Sequence, residues 1–234
     1  MDIIKAVLFD LDDTLLNSKK AQHLAVVDFK NLYKCFESTD DDEFSRYWNS
    51  ITEKAYDEYL KKKISFQDMR IKRMQMLFST YLEKISKEEA DNRFKEYLKA
   101  YERNWVLFDD AKEVLESLKK RYKLAIVSNG DSDQQRKKIE VTGLDKYFSD
   151  IVISGEVGFS KPEKEIFEIA CKMLNVNKKN AVMIGDKYKV DIEGSINAGM
   201  NGIWVNRKLE NQNYKYQIKE LKELEKYLQI NKER

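Results

Sequence analysis

The sequence predicts an α/β protein, a mostly parallel sheet with helices on both faces, interrupted by an all-helical block. Three observations predict it. Short apolar runs such as "KLAIVS", "DIVIS", "AVMIGD" and "GIWV" alternate with amphipathic stretches, the pattern of right-handed βαβ units. The runs are apolar on successive residues, as strands buried on both faces require. Between Lys19 and Trp105 the period is helical throughout, with no strand-like run.

The elements follow in order. Ile3 to Asp10, rich in Ile, Val, Leu and Phe, reads as the first strand. The block after it holds "TDDDEFSRYWNSITEKAYDEYL", "SFQDMRIKRMQMLFSTYL" and "SKEEADNRFKEYLKAYERNW", for four or so helices. Ser65 and Ser86 stand where helix N-caps belong. "DDAKEVLESLKK" puts Ala111, Val114, Leu115 and Leu118 on one helical face, and "YKLAIVSNG" is a strand ending in a polar turn at Gly130. "DIVISGE" repeats that form, and the single proline, Pro162, sits where the helix "PEKEIFEIACKML" can begin. "AVMIGD" is a strand, "DIEGSINAGM" a helix leaving at Gly199, "GIWV" a strand and "IKELKELEKYL" a closing helix. Residues 1–16 and 106–234 therefore form a Rossmann-like core domain, and residues 17–105 a helical one.

Composition excludes several functions. Lys and Arg total 43 against 41 Asp and Glu, with the signs mixed along helical faces, so no electrostatic grip on nucleic acid or an anionic membrane is expected. No apolar run approaches the roughly 20 residues of a membrane span, and the N-terminus does not read as a leader. Cys35 and Cys171, each in an amphipathic stretch, read as buried thiols of a reducing compartment. A cytoplasmic protein is expected, as a monomer or homodimer. The single histidine, His23, with two cysteines cannot build a four-ligand Cys/His zinc site. No "GxSxG" elbow accompanies it. Catalysis falls to carboxylates, hydroxyls, amides and lysine.

Those groups collect at strand ends. "FDLDDT" carries Asp10, Asp12 and Thr14, "VSNG" carries Ser128 and Asn129, "IGD" carries Asp186 with Asp191 beyond, and "FSKP" carries Lys161. In a parallel sheet the ligand site lies beyond the carboxyl ends of the strands, so all four tips converge on one rim. Two carboxylates side by side repel by about 4 kcal/mol at roughly 4 Å and an effective dielectric near 20. A divalent cation removes that repulsion, and an all-oxygen shell suits Mg²⁺. Lys161 and the Ser128 hydroxyl suit phosphate oxygens. Taken singly each residue has a plainer reading: Asp10 and Asp12 as an acidic turn, Asn129 as a turn residue, Asp191 as the N-cap of "IEGSINAG".

The four motifs "DLDDT", "SNG", the lysine of "KP" and "GDKYKVD", in this order over nearly the whole chain, resemble the haloacid dehalogenase superfamily. The resemblance implies a phosphatase in which Asp10 is the nucleophile and Asp12 the general acid and base. It implies Mg²⁺ held by Asp10, the Asp12 carbonyl and Asp186 with support from Asp191, and phosphoryl oxygens bound by Ser128, Asn129 and Lys161. The dehalogenases proper carry a different residue at the place of Asp12, so an aspartate there favours phosphate esters. The helical block resembles the family's cap, which implies a small-molecule phosphate ester as partner. The stretch from Ser128 to Pro162 resembles the pyrimidine 5'-nucleotidase and N-acylneuraminate-9-phosphatase branches. A catalytically idle binding module and a phosphomutase share the fold and are the alternatives. The block's aromatics, among them Phe44, Tyr47, Trp48, Tyr56, Tyr59, Phe66, Phe78 and Tyr81, read as helical core packing before a base-stacking platform.

Overall fold

The computed structural model describes residues 3–210 and 213–228. It divides into two compact units, Met1–Asn17 with Val106–Arg234, and Ser18–Trp105.

The first unit opens with β1 (Ala6–Phe9), buried along its whole length. The chain then leaves for the second unit, which holds α1 (Ser18–Lys30), α2 (Asp41–Leu60), α3 (Phe66–Thr80) and α4 (Lys87–Arg103). Returning, it forms α5 (Ala111–Leu118), β2 (Lys123–Ser128), α6 (Ser132–Thr142), β3 (Asp150–Ile153), α7 (Ser154–Val157) and α8 (Lys164–Met173). β4 (Ala181–Gly185), α9 (Gly194–Asn197), β5 (Asn201–Val205) and β6 (Gln217–Ile218) complete the order.

The six strands form one sheet in the order β3-β2-β1-β4-β5-β6. Every neighbouring pair is parallel. β1 lies between β2 and β4, with Phe9 level with Ile126 on one side and Ile184 on the other. The ends of β1, β2 and β4 are therefore side by side, which is what brings their polar tips together. Ala6, Leu8, Val127 and Met183 pack against Ile166, Phe167 and Ala170 of α8 in one core cluster.

The chain departs and returns at a short stem. Asn17 N–H donates to the Val106 carbonyl at 2.9 Å and Phe108 N–H to the Leu15 carbonyl at 2.9 Å. Leu16 pairs antiparallel with Leu107.

The helical unit starts its helices as the sequence expects. The Ser65 hydroxyl accepts from Asp68 N–H and the Ser86 hydroxyl from Glu89 N–H, satisfying donors that the first helical turn leaves open. Its core is aromatic. Phe29, Phe36, Phe44, Trp48 and Phe78 are fully buried, each contributing roughly 1.5–3 kcal/mol of apolar burial. Rings of Phe36 and Phe44 stand 4.9 Å apart, and those of Trp48 and Tyr97 4.5 Å. Phe44, Trp48 and Phe78 are thus packing residues. His23 shares a hydrogen bond of 3.0 Å with the Ser45 hydroxyl in this same unit.

Three expectations are corrected. "IKELKELEKYL" is not one helix: Ile218 belongs to β6, and Leu221–Lys226 winds as a 3₁₀ helix. Leu221, Leu224 and Leu228 are buried at helical spacing, but Ile218 is captured by the sheet edge, where its carbonyl accepts Asn206 N–H at 2.8 Å. "DIEGSINAGM" begins inside a wide π turn, Tyr188–Glu193, and only Gly194–Asn197 is α-helical. Pro162 precedes the helix it was expected to open, which starts at Lys164 with Glu163 as N-cap.

Candidate active site

Asp10 directly follows β1, and its N–H donates to the Ile184 carbonyl of β4 at 2.8 Å. Its side chain is almost wholly buried. Oδ1 accepts from Lys161 Nζ at 2.6 Å, and Oδ2 from the Thr14 hydroxyl at 3.2 Å. Lys161 Nζ also stands 2.7 Å from Asp191 Oδ1. Asp186 completes the group: one carboxylate oxygen each from Asp10, Asp186 and Asp191 lies within 4.8 Å of the other two.

Electrostatics sharpen the picture. Burial, with Asp191 and Asp186 beside it, pushes the Asp10 carboxyl up to about 7, while Lys161 pulls the other way. Burial works against the Lys161 charge, but Asp10 and Asp191 outweigh it and hold the ammonium protonated above its ordinary range. Three carboxylates balanced by one ammonium leave two negative charges if all are ionised. Oxygen-only donors at this spacing fit a small hard divalent cation.

Local backbone explains why the acids meet. A Cβ on Gly185 would overlap Cγ and Oδ2 of Asp191, so only glycine lets Asp191 fold back against the end of β4. Asp191 Oδ2 then accepts Lys187 N–H at 2.9 Å, binding its own loop instead of capping a following helix. The Asp186 carbonyl accepts Trp204 Nε1–H at 2.8 Å, which ties this tip to β5. Lys187 itself is exposed.

The second phosphate-binding candidate, Asn129, uses its side chain elsewhere. Nδ2 donates to the Lys161 carbonyl at 2.9 Å, and Oδ1 accepts Lys161 N–H at 2.8 Å. That pair of bonds braces the Lys161 loop against the end of β2. Ser128, buried at the tip of β2, accepts from Gln135 Nε2 at 2.6 Å.

Asp12 is not part of the three-acid group. Its carboxylate turns to α6, where Lys138 Nζ lies 2.7 and 2.9 Å from its two oxygens and Gln135 Nε2 donates at 2.8 Å. Gln135 and Lys138 belong to none of the four motifs. In the sequence "SDQQRKKIEV" they look like solvated helix polar residues. Their three-residue spacing puts them on one face, and only the packing of α6 against the rim turns that face inward.

The family model for haloacid dehalogenase-like hydrolase matches residues 4–199. The chain belongs to that family, and it is a hydrolase of the haloacid dehalogenase type. It is 29% identical over 214 residues to the N-acylneuraminate-9-phosphatase of Mus musculus, covering 87% of this chain and 83% of that protein. It is 30% identical over 204 residues to the pyrimidine 5'-nucleotidase PynA of Streptococcus pneumoniae, covering 86% and 84%. The solved structure of the HAD hydrolase YfnB of Bacillus subtilis, bound to magnesium, superposes with a TM-score of 0.81 at 25% identity, over 98% of this chain and 100% of that one.

Proposed function

We propose that this protein is a Mg²⁺-dependent phosphatase that hydrolyses a small-molecule phosphate monoester through an aspartyl-phosphate. The observation that carries the reading is the Asp10–Lys161–Asp191 bridge with Asp186 in the same cluster. A bare acidic turn has no need of a buried ammonium bonded to its first residue.

The reaction runs in two steps. An Asp10 oxygen attacks phosphorus, the ester P–O bond breaks, and Asp12 gives its proton to the departing oxygen. Water then attacks the aspartyl-phosphate, Asp12 takes the water's proton, the bond to Asp10 breaks, and phosphate leaves. Lys161, the Ser128 hydroxyl and the main chain at Asn129 hold phosphoryl oxygens, and the Lys161 charge favours the ionised nucleophile. Asp10, the Asp12 carbonyl, Asp186 and Asp191 would hold the metal ion, which supplies positive charge against the phosphoryl oxygens.

The similarity to an N-acylneuraminate-9-phosphatase and to a pyrimidine 5'-nucleotidase supports sugar phosphates and nucleoside monophosphates as the substrate class. The test is phosphate release from nucleoside monophosphates, sugar phosphates and phosphoglycolate, with Mg²⁺ and with EDTA. Release that requires Mg²⁺ and disappears in Asp10→Asn is expected. Normal turnover by Asp10→Asn defeats the reading, and so does binding across the panel without turnover. Isomerised sugar phosphate in place of free phosphate would identify a mutase.

A further inference from the structure

We propose that Gln135 and Lys138 are positioning residues that hold Asp12 for both proton transfers, an inference that rests on the phosphatase reading above. Asp12 stands outside the three-acid cluster, and its carboxylate bonds α6 instead. An acid–base group has to meet the leaving oxygen first and the attacking water second, at nearly the same place. Misplacement by about 1 Å costs on the order of 100-fold in rate.

The structure supplies a device that fixes both torsions of this side chain. Lys138 Nζ reaches both oxygens, at 2.7 and 2.9 Å, and Gln135 Nε2 reaches Oδ2 at 2.8 Å. Gln135 and Lys138 are 1% and 3% exposed. A lysine withdrawn from water to this degree is unlike a surface helix cation. Gln135 has a second task. The same amide nitrogen donates to Ser128 Oγ at 2.6 Å, so one rigid group sets the distance between a phosphate-binding hydroxyl and the acid–base carboxylate.

The turn before α6 is shaped to admit this side chain. Gly130 has φ +152°, and a Cβ there would stand 3.0 Å from Gln135 Cγ. The glycine of "SNG" thus makes room for Gln135 as well as turning the chain. Asp131 caps α6 by accepting Gln134 N–H at 3.1 Å, which anchors the helix that carries both residues.

The leaving group provides the readout. p-Nitrophenolate departs without needing a proton, whereas the more basic phenolate benefits from one. With Mg²⁺ present, Lys138→Met is expected to lower kcat/KM for phenyl phosphate about tenfold more than for p-nitrophenyl phosphate. Lys138→Arg keeps most of the wild-type ratio. In an Asp12→Asn background Lys138→Met adds no further selective loss, because the two act as one unit. Should Lys138→Met fail to fold by circular dichroism, Gln135→Leu carries the same expectation. Equal losses on the two esters, or no loss on either, overturn the inference. Asp12→Asn separates the two levels. If it shows the selective loss and the α6 variants do not, positioning alone is wrong; if it is fully active, the phosphatase reading fails and the inference with it.

Discussion

The ammonium of Lys161 lies 2.6 Å from the carboxylate of Asp10, although 151 positions separate the two residues. Both are buried, so the contact replaces water on each side. Removing the ammonium deprives two buried carboxylates, Asp10 and Asp191, of the one cation they share.

Lys161→Met is therefore expected to destabilise the metal-free protein by about 3 kcal/mol. Urea unfolding in EDTA, with and without the substitution, measures this. Activity should fall together with stability, since the same ammonium is proposed to face phosphate. A variant of unchanged midpoint and slope would contradict the energetic account.

The pH dependence follows from Asp10, whose carboxyl is pushed from an ordinary 3.8 up to about 7. The folded state then holds the proton more tightly than the unfolded one. Its contribution to stability is complete below about 4 and is lost as pH rises through 7. In EDTA, wild type should lose stability relative to Asp10→Asn across this window, and Mg²⁺ should restore it at pH 8. Parallel stability profiles for the two proteins would rule this out.

Gly185→Ala forces a methyl group into the space of the Asp191 side chain. Overpacking of this kind costs about 1–3 kcal/mol, and displacement of Asp191 also disturbs the three-acid cluster. Weaker Mg²⁺ binding by calorimetry is the expected result, alongside a lower melting temperature. Unaltered binding would show that Asp191 does not support the ion.

In the helical unit, Ser86→Ala removes the acceptor for Glu89 N–H. A loss of about 1 kcal/mol in denaturant unfolding is expected. Because Ser86 belongs to the helical unit and the clustered acids to the other, kcat on p-nitrophenyl phosphate should stay within twofold of wild type. A larger catalytic loss at full folding would be evidence against that separation.

Most of the rim was readable in the chain because its residues sit at strand ends, where an apolar run stops at a polar group. "AVLFD" and "AVMIGD" needed only the rule for parallel sheets to be placed together. Gln135 and Lys138 lacked such a marker: their burial depends on which way α6 faces, a property of packing that local pattern does not carry. The edge strand at Gln217–Ile218 was missed for a related reason. Two residues are too short for a period, and the leucines that follow do repeat at helical spacing. Asn129 lies just past the end of β2, but its carboxamide has a partner, the Lys161 main chain, that no spacing rule anticipates.

The stem formed by Leu15–Asn17 and Val106–Phe108 has an engineering consequence. Entry and exit of the helical insert are already stitched to each other by main-chain bonds, so a short hairpin connecting them closes the gap without stretching either end. Exchanging the insert for another at this stem, or trimming it to a tight turn, becomes a modular change that leaves the scaffold of the acids alone.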